Sequence, residues 1–276
     1  MRLSYATITW GGVVGHPVGV TSVKDLFYLA HGSTPDAIRA IGAAGYEGLE
    51  IFDGGLLEWE HRPKELRRLL AESGVVVTGV YSGANFIYDD ILDDELWRIE
   101  RAAGLAELFG AEVLTVGGGA KRAAGTTDRD YDRLAAGLDR VCDIAERHGL
   151  RASYHPHLTT IVEHEDQVDR ILGMSRIGFC PDTGHLAAGG ADPVALIRRH
   201  PNRVVHVHLK DWTPEPFRWE PLGRGVVDIP GVLDALRDCG YDRWATVELD
   251  EFDGDPGEAA RESLRYLRPL LAGGGD

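Results

Sequence analysis

Three short stretches of the 276-residue chain concentrate side chains that can hold a metal ion or move a proton. Tyr154-His155-Pro156-His157, Pro181-Asp182-Thr183-Gly184-His185 and His206-Val207-His208-Leu209-Lys210-Asp211 each stand at the end of a short apolar run. Residues two apart share one face of a strand, so His155 aligns with His157, and His206, His208 and Lys210 form a single row. A fourth run, Trp244-Ala245-Thr246-Val247-Glu248, ends in a carboxylate. Two imidazoles and two carboxylates, from His155, Asp182, His208 and Glu248, suit one divalent ion of intermediate hardness. Mn²⁺ or Co²⁺ is favoured, Zn²⁺ and Fe²⁺ are alternatives, and Mg²⁺ prefers an all-oxygen set. A lone histidine in a strand is more often a satisfied core residue. Four such ends on successive strands point to a metal centre.

The flanking residues define a reaction chamber. His157 lies two residues beyond His155, toward substrate. Glu248 or His157 is the candidate base, and His185 or His157 the candidate acid. Lys210 is a candidate cation for a substrate oxyanion, and His206, one layer deeper, could orient a ligand. Glu50, Trp10, His185 and Arg224 are expected to contact substrate. For Glu50 the competing reading is a salt bridge inside the barrel mouth, and for Arg224 a cover over the rim. Tyr81 is a further candidate for the pocket wall, and Gly117-Gly118-Gly119 could let backbone approach a ligand.

These side chains converge only if their strands are parallel neighbours. Strand patterns fall at 3–9, 48–52, 75–81, 112–116, 151–155, 177–182, 203–208 and 244–248. Helical apolar spacing lies between most of them, opened by prolines such as Pro35 and Pro63 and closed by glycines such as Gly45, Gly74, Gly110 and Gly149. Eight alternating units without a compositional break predict one α/β domain over residues 1–276, a single (β/α)8 TIM barrel whose strand ends converge on one pocket. An open doubly wound sheet competes, but no glycine-rich dinucleotide fingerprint follows the first strand. Residues 11–33 are too long for a simple connection and form either a candidate lid, with a short helical piece at 23–30 and His16 and Tyr28 within reach, or a surface insertion with no contact to substrate. The Gly-rich tail, 272–276, is expected to fray.

A formal charge of −15 argues against nucleic acid and anionic membranes as partners. No apolar run approaches the ~20 residues that span a bilayer. Three widely spaced cysteines, Cys142, Cys180 and Cys239, suit free thiols in a cytoplasmic protein.

Together these motifs resemble the sugar phosphate isomerase/epimerase superfamily of xylose isomerase-like barrels, and within it the inosose dehydratases. The resemblance rests on Tyr-His-x-His at Tyr154–His157, Thr160, the helix with Val168-Asp169-Arg170, Asp182–His185, Arg203–Asp211 and Gly223-Arg224-Gly225-Val226-Val227-Asp228. It is looser in the first half, through Thr9-Trp10 and Tyr46–Glu50. It implies one divalent metal held by residues on four strands, commonly Glu, Asp, His and Glu, which carries over to Asp182, His208 and Glu248. His155 departs from the pattern, standing where epimerases have a catalytic Glu. The implied activity is a metal-dependent lyase, dehydrating a keto-inositol or keto-sugar through an enediolate. The alternative is a keto-sugar isomerase or epimerase with the same metal site. More distant are an abasic-site endonuclease, which would need several metals and a basic face, and a non-catalytic sugar-binding barrel. Relatives of this kind lead one to expect a homo-oligomer, dimer or tetramer.

Overall fold

The computed structural model of the chain describes residues 1–11, 13–15 and 22–272. Eight parallel strands, Arg2–Ala6, Gly48–Phe52, Val76–Ala84, Val113–Gly118, Arg151–Tyr154, Gly178–Phe179, Val207–Leu209 and Trp244–Val247, form one sheet. In barrel numbering the order is 6-5-4-3-2-1-8-7, and the two edges meet through parallel bridges Phe179↔Val204 and Asp182↔His208. The second bridge joins two of the expected ligands, so barrel closure and site assembly are one event. The expected single barrel is the observed fold.

An outer helix follows each strand: Thr34–Ala44, Pro63–Ser73, Leu92–Phe109, Asp128–Arg147, Glu165–Met174, Pro193–Arg199, Ile229–Asp238 and Pro256–Ala272. The expected prolines open several of these helices, and left-handed Gly45, Gly74 and Gly110 end three of them. Ser33 caps the first, its hydroxyl accepting from the Asp36 N–H. Apolar residues of sheet and helices form one continuous core, including Ile38, Leu49, Leu66, Ile99, Leu134, Ile171 and Leu233.

Inside the barrel the layers are partly polar. Ser4 bonds Thr246 at 2.6 Å, Thr246 Oγ1 lies 3.1 Å from His206 Nε2, and Thr115 bonds Ser153 at 3.1 Å. Such small hydroxyl residues satisfy one another where bulky branched side chains usually fill a barrel. A register shift between Leu49 and Glu50 re-aims the Glu50 carboxylate inward. Gly79 makes room for it, since a Cβ there would lie 2.8 Å from Glu50 Oε2.

Two segments differ from expectation. Residues 23–30 are not a helix: a 3₁₀ turn at Val23–Asp25 leads to Tyr28–Ala30, which pairs antiparallel with Val13–Gly15. Asp53 explains the extended form, because its Oδ1 accepts the Tyr28 and Gly54 N–H groups, both at 2.8 Å. The proposed contact from His16 lies outside the described residues, as does the tail beyond 272. A second hairpin, Asp211–Pro214 with Phe217–Glu220, rises after the seventh strand, where the sequence was read as loop.

Asp53 Oδ2 also accepts from Ser82 Oγ at 2.7 Å and faces Arg98 at 3.5 Å, with both ionic side chains buried. Asp53→Ala would leave the Arg98 charge enclosed and release the Tyr28 strand. A loss of about 3–5 kcal/mol in unfolding free energy is expected, read from the urea midpoint. A loss near the ~0.5 kcal/mol of an ordinary surface substitution would contradict this account.

Candidate metal centre

Asp182 ends the sixth barrel segment and caps a short helix, Thr183–Ala188, that the sequence patterns did not reveal. Its Oδ1 accepts the His185 N–H at 2.8 Å, which frees Oδ2 to face the barrel axis. There His155 Nε2 lies 3.1 Å away and His208 Nδ1 3.8 Å away. Glu248 Oε2 is 3.9 Å from His155 Nε2 and in close contact with His208 Nδ1. One ligand atom from each of the four residues lies within 4.8 Å of all the others. All four residues are buried, and His208 Nδ1 and Glu248 Oε2 press on each other without a well-formed hydrogen bond to any group. Buried donors without partners are costly unless something binds them. The two-nitrogen, two-oxygen set fits a divalent ion of intermediate hardness.

The layer beneath steers this cluster. Glu50 Oε1 lies 2.9 Å from His208 Nε2, and Oε2 lies 2.7 Å from His206 Nε2. A carboxylate behind a ligating imidazole fixes the ring and raises its basicity. Despite burial, His208 and His206 hold the Glu50 carboxyl well below the usual carboxylate range. Glu50 is thus a buried partner of two histidines, which is the salt bridge of the competing reading rather than an open substrate contact.

The Asp-Thr-Gly-His and His-x-Lys-Asp stretches are locked together. Thr183 Oγ1 donates to Lys210 O at 2.6 Å and accepts from Lys210 N at 2.8 Å. Gly184 matters through its missing side chain rather than through a sharp turn: a Cβ there would lie 2.6 Å from Lys210 Cγ. Lys210 is consequently buried. Its Nζ donates to Asp250 Oδ1 at 2.7 Å, approaches His185 Nε2 at 3.0 Å, Asp182 Oδ2 at 3.3 Å and Glu248 Oε1 at 3.6 Å, and lies 4.8 Å from the Trp219 ring centre. Although burial opposes the charge, Asp182, Asp250 and Glu248 raise the lysine above its ordinary value. Lys210 and neighbouring histidines in turn hold Asp182 well below the carboxylate range, against the effect of burial.

Above the cluster opens a cavity of about 590 Å³ lined by Ile8, Tyr28, Phe52, Tyr81, Gly117, Gly118, His155, His157, Thr160, Trp219, Glu248, Asp250 and Glu251. His157 stacks on His185 with ring centres 3.7 Å apart, and its Nδ1 is 2.7 Å from Leu158 O. That contact places the proton on Nδ1 and leaves Nε2 bare. Burial, then His155 and Lys210, push His157 down to about 4, and burial and Lys210 also depress His185. Both shifts favour the neutral imidazole, where a protonated acid was expected of one of these rings.

Two other expected contacts stand elsewhere. Trp10 packs edge-on against Tyr5, with ring centres 5.8 Å apart, and is absent from the described lining. Arg224 lies half-exposed on the outer rim, paired with Glu262. The Gly223–Asp228 loop is built around Asp211, whose carboxylate accepts the N–H groups of Gly223, Gly225 and Val227. Asp228 caps the next helix. Both motif carboxylates thus shape the loop. Asp250 and Trp219 went unrecognised in the sequence. Asp250 follows Glu248 by two residues, which was a usable signal; nothing local marked Trp219. Burial, partly offset by Lys210, pushes Asp250 up to about 6.

No helix of the described residues is long and apolar enough to cross a membrane. Comparison with known proteins agrees with the geometry. The family described as xylose isomerase-like TIM barrel matches residues 38–270. The rhizopine catabolism protein MocC of Rhizobium meliloti is 36% identical over 268 residues, spanning 83% of this chain and 78% of that protein. An inosose dehydratase of Lacticaseibacillus casei is 26% identical over 265 residues, spanning 84% and 87%. The solved structure of the IolI protein with a bound zinc atom superposes with a TM-score of 0.76 at 15% identity, covering 99% of this chain and 98% of the other, a likeness of fold. With the family's match covering most of its length, this chain belongs to the xylose isomerase-like TIM barrel family.

Proposed function

We propose that the chain is a dehydratase of a keto-inositol or related keto-sugar, dependent on one divalent ion held by His155, Asp182, His208 and Glu248. The observation that carries this reading is the convergence of those four donors at the cavity floor, beside a neutral imidazole and a carboxyl–ammonium pair. The match to an inosose dehydratase over more than four-fifths of both chains supports the substrate class, and the presence of a zinc atom in the IolI structure, alike in fold, supports the metal.

The ion, when bound, would supply Lewis-acid polarisation of a substrate carbonyl, acidifying the adjacent C–H. The chain's own groups do the rest. His157, with its bare Nε2 on the cavity wall, takes the α-proton. Glu248 is committed to His208 and Lys210, which leaves His157 as the better base of the two expected. The Asp250–Lys210 pair is the proton source: Asp250 reaches the cavity, and its raised pKa lets it protonate a departing β-hydroxyl near neutrality. The α-proton goes to His157 and the hydroxyl leaves as water, so a hydroxyketone becomes an unsaturated ketone plus water. Lys210 is no Schiff-base nucleophile, since such a lysine must be neutral and this one is stabilised as a cation. Tyr28, Phe52 and Tyr81 pack edge to face along the opposite wall, with Phe52 and Tyr81 centres 5.5 Å apart, and keep bulk water from the reacting carbons.

Metal-loaded protein mixed with keto-inositols and ketohexoses in D₂O, followed by proton NMR, tests the reading. An unsaturated or deoxy product formed with loss of water is the expected outcome. Deuterium entering the substrate or a stereoisomer without water loss would make the chain an isomerase or epimerase, and no exchange at all would remove both.

Two variants separate the assigned proton steps. His157→Gln is expected to slow α-deuterium exchange by about 10²–10⁴-fold. Asp250→Asn should keep that exchange while slowing water loss by a similar factor; equal loss of both would show that Asp250 does not act on the leaving hydroxyl.

A further inference from the structure

Beside the four-donor cluster lies a second set of donors. One ligand atom each from His157, His185 and Asp250 lie within 4.8 Å of one another, on the cavity side of Lys210. Two of these donors converge on one point, the Lys210 ammonium, which His185 Nε2 meets at 3.0 Å and Asp250 Oδ1 at 2.7 Å. Asp182 Oδ2 and Glu248 Oε1 face the same point at 3.3 and 3.6 Å. An imidazole nitrogen and three carboxylate oxygens around a buried centre make a cation cage, with Asp182 and Glu248 shared with the neighbouring cluster. Carboxylates held in common by two adjacent cation positions are the arrangement of a dinuclear metal site.

We propose that Lys210 is a built-in surrogate for a second metal ion: its ammonium fills the second cation position, limits the wild-type site to one divalent ion, and its removal would create a two-metal site using His185, Asp250 and His157. The proposal rests on the one-ion reading of the first cluster. Charge supports it. One divalent ion and the Lys210 ammonium already face the carboxylates of Asp182, Glu248 and Asp250, and a second divalent ion beside a retained Lys210 would add buried positive charge with no further carboxylate to meet it. Geometry supports it independently. Thr183 clamps the Lys210 backbone on both its N–H and its carbonyl, Gly184 leaves just enough room for the side-chain stem, and Trp219 covers the ammonium. Swinging the side chain aside to admit an ion would mean displacing these neighbours. A fixed ammonium differs from a second ion in function as well, because it donates protons and hydrogen bonds where a metal only accepts electron pairs. That difference suits protonation of a leaving group better than a hydride shift between two chelated carbons.

The test is metal stoichiometry. Wild-type protein, Lys210→Met and Lys210→Gln are stripped with chelator, titrated with Co²⁺, desalted, and analysed for cobalt per chain and for spin coupling between ions by EPR, with circular dichroism as the folding check. Expected are one cobalt in the wild type even with excess metal, and two coupled cobalts in each variant. Adding His185→Ala to Lys210→Met should return the count to one. Two cobalts in the wild type would overturn the proposal without any variant, as would a single cobalt in folded Lys210→Met and Lys210→Gln. A wild type that binds none would remove the one-ion reading itself, and the surrogate role with it.

Discussion

Asp182 divides its carboxylate between two demands, and much of the site follows from that division. Oδ1 caps the helix Thr183–Ala188, and so fixes where His185 stands; Oδ2 faces His155, His208 and Lys210. A carboxylate bound on one oxygen by a helix N-terminus cannot rotate without losing the cap, so its second oxygen is pre-aimed. The backbone of the same residue bridges His208 across the closing edge of the barrel. Fold closure, helix start and cluster geometry are thereby coupled at one residue. Disturbing any of the three moves the others.

Such a density of buried charge is tolerated only because it is layered and balanced. Below the cluster, Glu50 faces two histidines, and His206 continues through Thr246 to Ser4, so polarity is relayed into hydroxyl pairs rather than left bare. Above it, Lys210 is surrounded by carboxylates from three directions. Buried ionic groups rarely stabilise a protein outright, because desolvation consumes most of the Coulomb gain. Their retention here is understandable if the arrangement exists to hold donors at fixed distances with their pKa values separated: Asp182 and Glu50 ionised, His157 and His185 neutral, Asp250 near neutrality.

The barrel and the four-donor cluster were legible in the sequence because both depend on period. Strand alternation puts His155 beside His157 and His208 beside Lys210, while proline and glycine mark the helix ends. What stayed hidden depends on contacts between distant segments. Glu50 looks like a rim residue until the shift at Leu49/Glu50 turns it inward; Arg224 looks like a loop cation until Glu262, on the final helix, takes it. The hairpin carrying Trp219 offers no local signal, since its exposed faces and short strands match loop composition. The pKa order of the pocket was equally out of reach. It arises from burial and from the Lys210 charge, neither of which any single stretch contains.

The residue that departs from the superfamily pattern, His155, constrains the chemistry most. Epimerisation by two carboxylates needs an acid/base group on each face of the substrate, and here the fifth strand offers an imidazole that sits among the ligands, 3.1 Å from Asp182. The remaining groups able to handle protons are not equivalent. In the proposed mechanism His157, just beyond the fifth strand, takes a proton, and Asp250, backed by the Lys210 ammonium just beyond the eighth, gives one. A symmetric pair can remove a proton and return it to the opposite face. An asymmetric pair, one accepting and the other donating, is suited to removing a proton from one carbon while delivering one to an oxygen on the next. On the proposed reading, the imidazole at position 155 and the charge on Lys210 together favour elimination over epimerisation in this barrel.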